Sequence, residues 1–212
     1  MDIDFSCSCG SLTFKVEAVS PKTGTHVHCY CSDCQAFATV LGRGDQVLDE
    51  RGGTEIFQFV PSRLTVTSGA EHLAVLRFGE KGLMRWYASC CDTPIGNTSA
   101  SPSIPIMGIV DPTNRALEKD MAVSAMGESV GAFCPNEGWG PVDAPQVKVL
   151  KMIRRAVVRA IGPFLAGRLS RHALFDENKN PVAKPRIISE PEIAAVHEQL
   201  EQKKAAFNHP VS

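Results

Sequence analysis

From Phe5 to about Val110 the chain runs as short alternations of apolar and polar residues broken by turn residues. Leu12-Thr-Phe-Lys-Val-Glu17 alternates in and out with the period of a half-buried strand. Similar runs recur at residues 26–29, 56–60, 64–67, 73–78 and 83–87, with Gly42-Arg-Gly44, Ser68-Gly69 and Gly79-Glu-Lys-Gly82 between them. Residues 104–110 read as a last strand, and Pro105 suits an edge or an entry position. The pattern predicts a mainly β, antiparallel body with little helix.

Beyond Asp111-Pro112 the period changes. Residues 114–121 suit a short helix, and 127–145 are loop-like, with five glycines or prolines between 131 and 141. Residues 147–175 read as helical, because Val147, Leu150, Ile153, Val157 and Ile161 keep a spacing of three or four. Gly162-Pro163 should kink or end that helix, with a second one over 164–174. A last helix is expected over 190–207, with Ser189 as N-cap, Pro191 in the first turn and Glu192 completing a capping box. The chain thus divides into a cysteine-bearing β domain at 1–112, a loop-rich connector at 113–145 and a basic helical extension at 146–212.

Charge sharpens this division. The net charge is −1, but residues 1–143 carry seventeen acidic and ten basic side chains (−7), and residues 144–212 carry six and twelve (+6). Lys148, Lys151, Arg154, Arg155, Arg159, Arg168 and Arg171 follow one another with no acid between Asp143 and Asp176. Residues 146–175 therefore suit an anionic partner or a membrane surface; the plainer alternatives are packing against the acidic body or self-association into a homo-oligomer. The stretch is poor in aromatics for base stacking, so no nucleic-acid partner is expected. No apolar run is long enough to span a bilayer, and the acidic start lacks the pattern of a secretion signal, which makes the cytoplasm the expected compartment.

Seven of the eight cysteines fall into three clusters: Cys7-Ser-Cys9-Gly10, Cys29-Tyr-Cys31-Ser-Asp-Cys34 and Cys90-Cys91. In a reducing compartment such spacing reads as metal ligation. Thiolates one or two residues apart can converge on one ion from a tight turn, and Gly10 lets the backbone wrap close to the ligand sulfur. Zinc is the expected metal, one or two ions per chain. A strained vicinal disulfide at Cys90-Cys91 is the minor alternative.

The three clusters, the last preceded by Arg85-Trp-Tyr87 and followed by Asp92-Thr-Pro-Ile-Gly96, resemble the glutathione-dependent formaldehyde-activating enzyme family over roughly residues 3–112. That family's pattern is C-x-C-G, C-H-C-x-x-C, then an aromatic followed by C-x-x-C-G-[ST]-P. The resemblance implies an Mss4-like β-tent stapled by zinc. One site would be structural, with Cys7, Cys9 and Cys91 matching its ligands. The other, at Cys29, Cys31 and Cys34, would be catalytic, with an open position for a small thiol such as glutathione. The implied reaction is a carbon–sulfur lyase type, joining glutathione to formaldehyde or a related small electrophile.

The chain departs from the pattern twice. Ala88 stands where the family has the first cysteine of its third cluster, with Cys90 supplying the spare thiol, and Tyr30 replaces the histidine of C-H-C. Neighbouring side chains of an extended segment point opposite ways. Either a turn at residues 89–92 brings Cys90 and Cys91 to one ion, or Cys90 completes the middle site, or one site is lost.

Other residues have plainer readings. His26 and His28 share a strand face leading into Cys29; a polar face is favoured over a ligand or proton-shuttle role for His28. Isolated Cys134 reads as a small buried residue, and His72, His172, His197 and His209 have no motif around them. Trp86 is expected to pack beside the metal and exclude water. Arg85 could face the thiolates, but an exposed strand arginine is the simpler reading, and Asp33 reads as turn-stabilising. Two functions follow from these features: a glutathione-linked enzyme, or a non-catalytic zinc-stapled module whose basic helices contact a partner.

Overall fold

The alternating runs pair as strands. In the computed structural model, which describes residues 1–168 and 173–208, β1 (Ile3–Ser6) and β2 (Thr13–Val16) form an antiparallel hairpin. Then come β3 (Gly24–Cys29), α1 (Ser32–Val40), α2 (Gly44–Val47), β4 (Thr54–Phe59), β5 (Leu64–Ser68) and β6 (Leu73–Arg77). They are followed by β7 (Met84–Ala88), β8 (Thr93–Thr98) and β9 (Met107–Val110). The chain continues through α3 (Pro112–Arg115), α4 (Lys119–Met126), β10 (Ala132–Phe133), α5 (Val149–Leu165), β11 (Arg186–Ile187) and α6 (Glu190–Asn208).

Strand β2 sits between β1 and β5 in a three-stranded antiparallel sheet. The larger sheet has the order β10-β3-β4-β9-β8-β7-β6-β11, antiparallel except where the two-residue strands β10 and β11 join its ends in parallel. Among the described residues no barrel closes.

The core lies between the sheets, where Phe5, Phe14 and Val16 meet Phe57, Val75, Trp86, Ile95 and Ile109. Phe5 and Phe14 stack at 5.4 Å, and Trp86 meets Phe175 edge-on at 5.9 Å. Each such fully buried side chain contributes roughly 1.5–3 kcal/mol. The far face of the larger sheet is covered as well. Phe37 of α1 and Leu41, just after it, pack on Leu76, Val110 and Ile188, and Val196 and Leu200 of α6 pack on Ala36.

A mainly β chain was too narrow an expectation: the fold is mixed α/β, with 34% helix against 26% strand. Part of the excess is α1, which hides in the sequence because Cys34 to Ala38 are five consecutive buried residues with no 3.6-residue stripe. Strands β1 and β8 were also not foreseen. Pro105 precedes β9, which lies inside the sheet between β4 and β8, so it marks an entry and not an edge.

In the C-terminal part, α5 continues through Gly162-Pro163 and stops two residues later. There Gly167 takes φ +63°, while its N–H donates to the Phe164 carbonyl and that of Arg168 to the Pro163 carbonyl, a Schellman closure. The second helix expected over 164–174 is not found among the described residues. Phe164 and Leu165 end α5, Ala173 and Leu174 lie in a turn, and residues 169–172, His172 included, lie outside the described residues, as does His209. The Glu192 carboxylate, expected in a capping box, is engaged by Arg186 at 2.5 Å. No helix among the described residues is long and apolar enough to cross a membrane.

Candidate metal centres

The first centre joins the two sheets. Cys7 and Cys9 lie in the loop between β1 and β2, and Cys90 and Cys91 lie in the turn between β7 and β8. Their four sulfurs lie within 4.8 Å of one another. Sγ–Sγ separations are 3.5 Å for Cys7–Cys9, 3.7 Å for Cys7–Cys90, 3.3 Å for Cys9–Cys90 and 3.8 Å for Cys90–Cys91. Tetrahedral thiolates about 2.3 Å from a zinc ion stand about 3.8 Å apart, so this donor set fits one ion.

The turn makes that convergence possible. Asp92 adopts φ +52° and the Cys91 N–H donates to the Ala88 carbonyl at 3.3 Å, so Cys90 and Cys91 leave extended geometry and reach the same side. Of the three arrangements open for Cys90, the structure selects the turn. Gly10, at φ +77°, has open space where a Cβ would be; its role is the left-handed turn, not a close approach to sulfur.

Residues without a cysteine signal orient these thiols. The Leu12 N–H donates to Cys7 Sγ at 3.3 Å, Thr93 Oγ1 lies 3.0 Å from Cys91 Sγ and accepts the Ser8 N–H at 3.1 Å, and Arg43 donates to the Cys91 carbonyl. Burial pushes the Cys91 thiol up, but the Thr93 hydroxyl, the Cys9 backbone and the Ser8 hydroxyl outweigh it and bring it to about 5. Thr93 was legible only as the threonine of the Asp-Thr-Pro run. Trp86 shares the apolar core with Cys7, and its indole N–H is engaged by Thr98 Oγ1 at 2.9 Å.

The second centre is a knuckle between a strand end and a helix start. Cys29 closes β3, Cys31 is the N-cap of α1, and Cys34 lies in its first turn. The three sulfurs lie within 4.8 Å of one another, with Cys29 and Cys31 at 3.3 Å. Among the described residues no further histidine, cysteine or carboxylate atom joins that group. Hydrogen bonds from the Cys29 and Cys34 thiols pull Cys31 down to about 3; the Cys34 backbone N–H and the nearby Arg85 charge act the same way against burial. Sharing its proton with Cys31 raises Cys29 correspondingly.

Arg85 is not the exposed arginine expected. It is 1% exposed, on the α1 side of β7, lying over the Phe37 and Phe78 rings at 5.6 and 5.0 Å. It donates to Asp33 Oδ2 at 2.9 Å and to Asn97 Oδ1 at 3.2 Å. Asp33 is thus an ion-pair partner inside the cysteine loop. Beside it an open groove of about 600 Å³ is lined by Arg77, Glu80, Lys81 and Ser99.

Tyr30 donates to Asp49 Oδ2 at 2.9 Å, with its hydroxyl pushed by burial and that carboxylate to about 12. Gln35 donates to the Tyr30 carbonyl at 2.7 Å and accepts the Trp139 indole N–H at 3.1 Å. The Glu137 carboxylate accepts the Ser32 N–H at 2.8 Å, opposite the start of α1. Cys134, half-buried at φ +49°, is close enough for the Cys31 charge to raise its thiol, after burial and together with Glu137, to about 11; it does not join the sulfur group.

His26 and His28 stand apart from the sulfurs. His26 places Nδ1 2.8 Å from the Gly127 carbonyl and Nε2 2.8 Å from Glu55, while His28 Nδ1 is 3.2 Å from Ser129 Oγ.

No curated protein matches the chain. A crystal structure of a Rhodobacter sphaeroides protein is similar over 50% of this chain and 83% of its own, at 20% identity and a TM-score of 0.37. A family of unknown function, DUF6151, matches residues 2–184 by its family model, and the chain belongs to that family.

Proposed function

We propose that the chain is a two-zinc protein of the β-tent kind, with one structural and one open centre, the open one acting on a small thiol and an aldehyde. The observation that carries this reading is the contrast between the centres: four converging thiols at Cys7, Cys9, Cys90 and Cys91, and three at Cys29, Cys31 and Cys34. All-sulfur donor sets favour zinc, and a complete set suits a structural ion while an incomplete one leaves a place for a reactant. Clusters of free thiols also suit a reducing cytoplasm.

Zinc at the middle centre would hold an added thiol as thiolate at neutral pH. The substrate we assign is glutathione, on the resemblance to the formaldehyde-activating enzymes and on Arg77 and Lys81, which offer cations for its carboxylates in the groove beside Asp33. In the net reaction a thiol S–H adds across an aldehyde C=O. The C–S bond forms, the carbonyl π pair moves to oxygen, and that oxygen takes the proton. Arg85 sits behind the sulfurs and offsets their charge. The hydrogen bond to Asp49 makes Tyr30 a brace for the knuckle and not a proton donor to substrate.

Native mass spectrometry tests the reading first. Two zincs per chain are expected, falling to one in Cys31→Ser. Glutathione should bind the intact protein calorimetrically and not the variant. A single zinc in the intact protein, or two without thiol binding, would leave the chain a zinc-stapled module and overturn the enzyme reading.

A further inference from the structure

Helix α5 faces the opposite way from an ordinary surface helix, which turns its apolar stripe to the core. Its inner side is narrow, with Met152, Ala156 and Ala160 buried. Arg159 fixes its rotation: the guanidinium donates to the carbonyls of Pro21 at 3.0 Å, Lys22 at 2.9 Å and Gly24 at 2.5 Å, and to Thr25 Oγ1 at 2.6 Å.

The larger apolar side chains are therefore left in solvent. Leu150 is 78% exposed, Phe164 67% and Leu165 79%, and Val157, Val158 and Ile161 are each more than half exposed. At 3.6 residues per turn these six cover an arc of roughly 120° along about 25 Å of helix. An exposed apolar strip of this kind on a protein surface marks an interaction site. Lys151 borders it, half-exposed Arg155 lies beyond Lys151 on the same flank, Lys148 caps the start of the helix, and Arg154 stands within the strip. No acidic residue occurs between Asp143 and Asp176, although residues 1–143 are net acidic.

We propose that the outer face of α5 docks on an anionic lipid membrane, the helix lying in the plane of the interface. Leu150, Phe164 and Leu165 enter the acyl boundary, and Lys148, Lys151, Arg154 and Arg155 meet lipid phosphates. Charge and geometry select this occupant. A second copy on a two-fold axis would set this cationic face against itself. A protein groove would have to desolvate Arg154 in the middle of the apolar strip, whereas at a bilayer the same side chain snorkels to the headgroups. The helix does not qualify as a span, so it lies on the surface.

Co-sedimentation of the full chain, as purified, with phosphatidylcholine vesicles with and without phosphatidylglycerol tests this. Binding is expected only with the anionic lipid, and should be reversed by high salt. Lys151→Gln with Arg155→Gln should lower partitioning by about 25-fold, since each cation near the surface is worth about fivefold. Leu150→Ser with Phe164→Ser should abolish binding while leaving the melting temperature unchanged, because both side chains are exposed. Equal binding to neutral vesicles would overturn the proposal. So would a dimer that Leu150→Ser dissociates and that ignores vesicles, or a monomer that ignores them, which would point to an acidic protein partner.

Discussion

Arg85 is a guanidinium with almost no exposure, on the side of β7 opposite Trp86, and its charge is met by Asp33 from inside the cysteine loop. Asp33 itself is 58% exposed at its side chain, so losing the arginine would not strand a buried carboxylate. What would be lost is the positive charge behind three sulfurs that must be thiolates to hold a metal. Arg85→Met keeps an apolar stem against Phe37 and Phe78 while removing that charge. Its expected effect is a metal affinity about 10–100-fold lower at the Cys29, Cys31 and Cys34 centre, with the four-thiol centre unchanged. Competition with a chromogenic chelator, followed as two separate release steps, reads this directly; a loss shared equally by both centres would show that the arginine acts on the fold and not on the knuckle. The alternation of β7 placed Arg85 opposite Trp86 but could not reveal that the second face of the sheet is covered, because the covering helix α1 carries no stripe of its own.

Elements whose apolar residues keep one period were legible: β2, β3, β4, β5, β6, β7 and β9 fall on the alternating runs, and α5 and α6 on helical ones. The direction in which α5 faces was not legible. Its stripe of Leu150, Ile153, Val157 and Ile161 looks like a core face, and the inward turn is decided by Arg159 reaching carbonyls more than 130 positions earlier in the chain. The cysteine centres were legible because ligand spacing is local, whereas the joint use of Cys90 and Cys91 depended on the left-handed Asp92.

A polar staple on β3 was equally hidden. His26 lies between two acceptors, the Gly127 carbonyl and Glu55, which also accepts from the Thr113 N–H at 3.2 Å and hydroxyl at 2.6 Å. Burial on its own would lower the imidazole, but the bonds to Glu55 and Gly127 raise it above its ordinary 6.5; the bonds from His26 and Thr113 hold Glu55 below its ordinary 4.5 against burial. A raised histidine contributes fully below its unfolded value and loses that contribution as pH rises through the folded one. A depressed glutamate contributes above its unfolded value and loses it as pH falls through the folded one. The staple is therefore strongest between about pH 4.5 and 6.5. His28, its ring 5.8 Å away, is itself pushed down by burial. His26→Gln should cost about 1–3 kcal/mol near pH 6, and the gap to the parent protein should narrow toward pH 9. Paired denaturant titrations across that range check it; a gap constant with pH would mean that the imidazole is neutral throughout.

On the scale of the molecule, the two sheets share one core but meet covalently only through loops, and a metal in the four-thiol centre would tie the β1–β2 loop to the β7–β8 turn beside that core. The three-thiol centre spans only the end of β3 and the start of α1, neighbours in sequence, and so closes almost no loop. Removing metal should therefore have unequal consequences. A structural ion holding remote segments is worth several kcal/mol, and at this chain length each kcal/mol moves Tm by about 2–4 °C. Chelation and Cys7→Ser should each lower Tm by about 10 °C or more, with amide protection lost first in β1, β2, β7 and β8. Cys31→Ser should lower it by no more than a few degrees. Thermal melts paired with hydrogen exchange separate the two centres. If Cys31→Ser were to cost as much as Cys7→Ser, the knuckle would be carrying the fold too, and its missing fourth ligand would no longer argue for a place kept open to a substrate thiol.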